Sequence, residues 1–111
     1  MMEIVSKANS VRISPKKLRK VADLVRGLNV HKALNSLSHM DEKGAAIILK
    51  TLSSAIANAD NNEDFNLDMN SVNVKTITVD EGPALKRFRA RAQGRANRIK
   101  KRTSHLKIVI G

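Results

Sequence analysis

The residues best equipped for chemistry lie in one stretch, Gly82 to Thr103, which carries Lys86, Arg87, Arg89, Arg91, Arg95, Arg98, Lys100, Lys101 and Arg102 and no acid. Guanidinium groups are planar forks whose donors match phosphate oxygens in bidentate geometry, and lysine ammonium groups are compact cations for the same oxygens. Cations packed this densely repel one another, and nothing in the stretch offsets that repulsion. The segment alone is therefore expected to be mobile and to become ordered on contact with an anion. Phe88, among the arginines, can stack on an unpaired base or pack on the segment's own backbone.

Bond-making chemistry is poorly represented. The chain has no Cys, which excludes disulfides, thiolate nucleophiles and Cys-type zinc sites and fits a reducing compartment. His31, His39 and His105 are scattered, with no second ligand at a metal spacing, so no metal is expected. Ser104 beside His105 suggests a nucleophile and base, but adjacent strand residues point to opposite faces. An enzyme acting on RNA would need paired acids, a Cys-His couple, a Gly-rich phosphate loop or a metal cluster, none of which is legible. No catalysis and no cofactor are expected. The polar run Asp60 to Asp68 could offer carboxylates to a cation, yet it lacks the Gly and terminal Glu of a calcium loop and reads as a solvated connection.

The formal net charge of +11 and pI near 10.6 imply a polyanionic partner, either nucleic acid or an acidic membrane surface. All ten acids lie at or before Glu81, against eleven Lys and Arg in residues 1–81, whereas residues 82–111 hold ten Lys and Arg and no acid. The excess belongs to one segment. No run of about 18 apolar residues is present to span a bilayer, and the first residues lack the apolar core of a signal peptide, so a soluble intracellular protein without a membrane partner is expected. A length of 111 residues suits one domain, residues 1–111. With Phe65 and Phe88 the only aromatics, its core must be aliphatic.

The elements that must position the cations are readable from periodicity. Ser14-Pro15 has the form of an N-cap followed by proline at the first helical position, Leu18, Val21, Ala22 and Val25 follow at helical spacing, and Gly27 is a natural stop. This predicts helix 1 over 14–26, with Lys16, Lys17, Arg19 and Lys20 on its solvated face, either as a phosphate-contacting surface or as a soluble face. Asn29 caps a short second helix through Val30, Ala33, Leu34 and Leu37. Asp41 caps a third, striped by Ala45, Ile48, Leu49, Leu52, Ile56 and Ala59 to about Asn61. From Val72 to Val79 the β-branched texture predicts a strand, whose change of phase between Val74 and Ile77 suggests a bulge. Leu106, Ile108 and Ile110 give a second strand, and Glu3 to Ile13 is β-compatible but weakly patterned. The expected fold is α+β, a three-stranded antiparallel sheet packed against three helices.

Between the two clear strands, residues 82–103 have too few apolar side chains for a core of their own. Folded back as a β-hairpin arm, they would reach on the order of 30 Å beyond the sheet. Gly94, beside Ala92 and Gln93 near the midpoint, supplies freedom for a tip, and Gly82-Pro83 marks a hinge. A disordered tail is the alternative. It is disfavoured because the strand Leu106 to Ile110 returns the chain to the body.

A C-terminal signature runs Lys86, four residues, Arg91-Ala92-Gln93-Gly94-Arg95, nine residues, then His105-Leu106-Lys107-Ile108-Val109-Ile110. With it go the stretches Val11 to Lys17, Val21 to Gly27, Ser54 to Ala59, Val79 to Pro83 and Arg102 to His105, in order over nearly the whole chain. In these residues the sequence resembles the bacterial-type ribosomal protein twenty-two family of the large subunit. The resemblance implies a body on the outer surface of the large subunit near the exit of the peptide tunnel, and a long hairpin threaded through large-subunit (23S-type) ribosomal RNA with its tip at the tunnel wall. It implies a cytoplasmic, ribosome-bound protein that supports subunit assembly, with neighbouring large-subunit proteins and the nascent peptide as further partners and no homo-oligomer. Together with the charge pattern it puts RNA-binding residues at Arg12, Lys16, Lys17, Arg19, Lys86, Arg87, Phe88, Arg89, Arg91, Arg95, Arg98, Lys100, Lys101, Arg102, Ser104 and His105. The tunnel tip would be Leu85, Lys86, Arg87, Arg89, Ala90, Arg91 and Gly94. The family pattern usually has proline where this chain has Ala90, which leaves the flanking arginines in place and removes a stiffening residue.

His105 is either a hydrogen-bond donor to RNA or a strand-surface residue. A helix-turn-helix regulator built from helices 1 to 3 is the competing binding class. Its recognition helix would present Asn35, Ser36 and Ser38 and few long cations, a poor base-reading surface.

Overall fold

The computed structural model describes residues 3–62, 69–82, 85–90 and 96–111, with 85–90 and 96–101 described by their backbone. In chain order the elements are β1 (Ile4–Val11), α1 (Pro15–Val25), α2 (Val30–Ser38), α3 (Lys43–Asp60), a 3-10 turn (Met69–Ser71), β2 (Val74–Glu81), β3 (Leu85–Ala90), β4 (Ala96–Lys101) and β5 (Ser104–Ile110). β1, β5 and β2 form an antiparallel sheet in the order β1-β5-β2, and β3 pairs with β4 in a separate two-stranded ladder. Three helices on a three-stranded antiparallel sheet is the α+β arrangement that the periodicity predicts.

The core is aliphatic. Leu18, Val21 and Val25 of α1, Val30 and Leu37 of α2, and Ile48 and Leu52 of α3 meet Val74, Leu106, Ile108 and Ile110 of the sheet in one buried cluster. Each large side chain removed from water contributes roughly 1.5 to 3 kcal/mol, which is why helices of such modest length hold together.

The ends of α1 and α2 follow their sequence signals. Ser14 sits at the α1 N-cap with extended backbone and Pro15 at the first turn, although the Ser14 hydroxyl makes no capping bond. Gly27 has φ +85°, a left-handed conformation that glycine adopts without steric cost, and its N–H donates to the Val74 carbonyl at 3.0 Å. Asn29 Oδ1 accepts from the His31 N–H at 3.0 Å, and its Nδ2 donates to the carbonyls of Asn70 and Val72 at 2.8 and 3.0 Å. One side chain thus caps α2 and ties it to the segment entering β2.

Two expected boundaries move. The α3 cap falls at Glu42 rather than Asp41, without a side-chain capping bond. Tertiary contact fixes that start: a Cβ on Gly44 would lie 3.3 Å from Val21 Cγ2 and 3.4 Å from Ile13 Cδ1, and Lys43 Nζ donates to the Arg12 carbonyl at 2.9 Å. The strand expected over Val72 to Val79 runs instead from Val74 to Glu81. The Val72 carbonyl is already taken by the Val30 N–H, while Asp80 and Glu81 continue the ladder opposite His105 and Ser104. The expected bulge is present, since the register shifts between Val74 and Thr76. A second shift between Ala8 and Val11, with Ser10 at φ 54°, accounts for the weak pattern of β1.

β2 is an edge strand, and helix α1 occupies its free side. Arg19 donates from Nε and Nη2 to the Val79 carbonyl at 3.2 and 2.8 Å, and Arg26 Nη2 donates to the Ile77 carbonyl at 2.8 Å. Filling these acceptors removes a template for edge-to-edge pairing. At the end of the same strand the Gly82 N–H donates to the Thr103 carbonyl at 2.9 Å, and a Cβ on Gly82 would lie 2.6 Å from Thr103 Oγ1. Glycine is required there by space. The expected hinge is tied down on its Gly82 side, and Pro83 lies outside the described residues, as do residues 63–68 of the polar loop.

Gly27 supplies a test of the backbone argument. Gly27→Val should lower stability by about 1–2 kcal/mol, because a β-branched residue resists a left-handed φ. Gly27→Asn should lower it by less, since open space surrounds the position. Chemical denaturation midpoints at unchanged m-value would read both.

Candidate nucleic-acid interface

The cationic stretch is built as a ladder. β3 and β4 pair antiparallel with Leu85 opposite Lys101, Lys86 opposite Lys100, Arg87 opposite Ile99, Phe88 opposite Arg98, Arg89 opposite Asn97 and Ala90 opposite Ala96. Cross-strand partners share a face and successive residues alternate. Arg87, Arg89 and Lys101 therefore fall at positions of one face, and Lys86, Arg98 and Lys100 at positions of the other. Arg91, Gly94 and Arg95 lie outside the described residues.

At the root of the ladder the fold brings distant cations together. Lys16 and Arg19 of α1 line a cleft with Ser14, Pro15, Glu81 and Arg102. Arg102 Nη1 lies 3.7 Å from Glu81 Oε1, an exposed pair of small energetic weight. Lys16 is exposed and forms no ion pair with a described residue. Arg19 has its guanidinium committed partly to Val79. On the other side of α1, Lys17 and Lys20 line a groove with Ile13, Glu42, Lys43 and Gly44, and Lys20 Nζ lies 3.6 Å from Glu42 Oε1. Lys43 joins this group without a local signal in the sequence. It follows Glu42 in an ordinary helix start, and only the packing of α3 on α1 brings it to Lys17. Arg12 is exposed beside this groove's lining residue Ile13, and its carbonyl accepts from Lys43.

Ser104, which the sequence places among the RNA contacts, is instead fully buried, and its hydroxyl donates to the Ile13 carbonyl at 2.6 Å. A strand position at the edge of a basic run does not reveal which face it occupies. Its neighbour His105 is half-buried, and its Nδ1 accepts from the Ser10 N–H at 3.0 Å. That bond requires Nδ1 to be unprotonated, which leaves Nε2 as the donor.

The competing binding class gains nothing from the geometry. α2 exposes His31, Lys32, Asn35 and Ser38, and the Asn35 carbonyl is occupied by Ser38 Oγ at 2.8 Å and His39 Nδ1 at 2.7 Å. No group of three or more potential metal ligands occurs among the described residues, and no helix among them is long and apolar enough to cross a membrane. A protein-family model described as ribosomal protein L22p/L17e matches residues 6–111.

The buried Ser104 hydroxyl serves the fold. Ser104→Ala should lower stability by roughly 1–3 kcal/mol, because it leaves the Ile13 carbonyl unpaired in the interior, while RNA affinity of the folded protein stays within about twofold. Loss of affinity at unchanged thermal midpoint would return Ser104 to the interface.

Proposed function

The chain belongs to the ribosomal protein L22p/L17e family, whose members are structural components of the large ribosomal subunit that bind ribosomal RNA rather than catalysts, and from that premise we propose how it does so. Residues 82–103 act as an extended basic hairpin arm that enters large-subunit RNA, supports assembly of the subunit and brings its tip to the wall of the polypeptide exit tunnel. The tip is placed at Arg89, Ala90, Arg91 and Gly94, beyond or at the far end of the ladder, with the nascent peptide passing near them, whereas Leu85, Lys86 and Arg87, also expected at the tip, pair with Lys101, Lys100 and Ile99 at the end next to the body. The body, a single domain with the arm, sits among neighbouring large-subunit proteins as one copy.

One observation carries this reading: ten Lys and Arg with no acid in residues 82–111, against a body whose ten acids are already matched by eleven Lys and Arg, so beyond the exposed Arg102–Glu81 pair the balancing anions must come from outside. The division of ladder positions between two faces supports RNA on both sides of the arm rather than a flat surface contact. The molecule measures 64 × 26 × 18 Å with a radius of gyration of 17.1 Å, against about 13 Å for a compact chain of this length, which supports a projecting arm. Lys16, Arg19 and Arg102 around the cleft at the arm's root, and Lys17, Lys20 and Lys43 beyond α1, would take phosphates of the RNA flanking the entry point. His105 Nε2 would donate to RNA.

Affinity for large-subunit RNA should be dominated by phosphate neutralisation, so log K should fall linearly with log salt at about 0.7 to 0.9 per phosphate contacted. Replacing Arg89, Arg91 and Arg95 by Ala should reduce that slope while leaving the helical circular dichroism signal intact. A shallow wild-type slope, or loss of helical signal in the triple variant, would contradict the division into body and arm.

A further inference from the structure

The β1–β5 register places two lysines from opposite ends of the chain directly across from each other: Lys7 pairs with Lys107. Their strand neighbours Ser6, Leu106 and Ile108 are buried, so the two lysines occupy the sheet face turned away from the helices. Both are exposed, and neither forms an ion pair with a described residue. Like charges directly opposite one another in an antiparallel ladder are destabilising. Nothing in the core requires lysine at either position.

The surroundings of this pair form a shallow cleft lined by Lys7, Asn9, Asp80, His105, Leu106 and Lys107. Thr78 stands opposite Lys107 and Asp80 opposite His105 on β2. Asp80 is the one acid lining the cleft, so two ammonium groups face a single carboxylate and the net charge is positive. Ser10 holds the His105 ring by Nδ1. Nε2 is left as a donor on the side of Gly82, whose Cβ position would lie 3.4 Å from it. β5 follows β4 with only Arg102 and Thr103 between them, so this face and the arm's root are joined by one strand.

Resting on the reading of an RNA-binding arm, we propose that the outer face of the three-stranded sheet is a second RNA-backbone contact, in which Lys7 and Lys107 hold phosphates of a strand continuing from the arm's root. His105 Nε2 donates to the same strand. The repulsion built into the free protein is relieved when a phosphate lies between the two ammonium groups. Continuity with the arm and the paired cations favour a nucleic-acid backbone over an acidic protein surface.

The test uses the full chain and large-subunit ribosomal RNA, with affinity measured across a potassium chloride series. Lys7→Ala with Lys107→Ala should reduce the log–log salt slope by roughly 1.4 to 1.8, the loss of two phosphate contacts, without lowering the thermal midpoint of the free protein. The Arg89, Arg91, Arg95 triple variant is run beside it. A reduced slope in the triple variant with an unchanged slope in the lysine variant overturns this proposal alone, whereas an unchanged slope in both removes the RNA reading of the arm. If the lysine variant keeps its slope yet enters reconstituted subunits less readily, the proposal is equally overturned and the face belongs to an acidic protein neighbour.

Discussion

Everything in this molecule depends on the pairing of β2 with β5, because that pairing fixes both ends of the cationic segment at neighbouring positions. The chain leaves β2 at Glu81 and re-enters the sheet at Ser104 directly opposite, and the Gly82 to Thr103 hydrogen bond closes the base of the excursion. A run of like charges would otherwise spread apart, since each added cation raises the repulsion among the rest. Clamping its ends converts a tail into two strands of opposite direction. β5, flanked by β1 and β2 and lined by buried Leu106, Ile108 and Ile110, provides the anchorage.

The helices serve that clamp from outside. α1 buries its apolar side against the sheet, and Arg19 with the C-cap residue Arg26 reaches the free edge of β2, so Arg19, whose charge suggests RNA contact, also satisfies a backbone carbonyl. Fixing β2 at its edge keeps Glu81 beside Arg102 and sets the cleft where the arm departs. The cations of one helix are thus divided by position: Lys16 lines the cleft, Lys17 and Lys20 the opposite groove, and Arg19 bridges to the strand. A helix in which every cation were merely solvated would have no reason to place Arg19 within reach of Val79.

What was legible in the sequence was mostly local. The Gly27 stop, the Asn29 cap and the bulge after Val74 are each decided within a few residues, by backbone conformation or alternation, and each is found where the pattern puts it. The segregation of charge into residues 82–111 needed only counting. Contacts between distant segments were not legible. The α3 start at Glu42 depends on Gly44 fitting against Ile13 and Val21. The burial of Ser104 depends on a carbonyl 91 residues earlier. The facing of Lys7 and Lys107 depends on a register that neither strand specifies alone. Such features are set by the sheet as a whole, so a reading based on local periodicity places residues on elements without saying which cations share a surface.

The proposed RNA contact follows the charge segregation rather than exposure alone. Lysine modification read by mass spectrometry, with and without large-subunit RNA bound, tests it most directly. Lys86, Lys100 and Lys101 should be protected by RNA, while Lys32 on α2 and Lys50 on α3, both exposed, should react unchanged. Protection of Lys32 and Lys50 with continued reaction at Lys86, Lys100 and Lys101 would contradict the account.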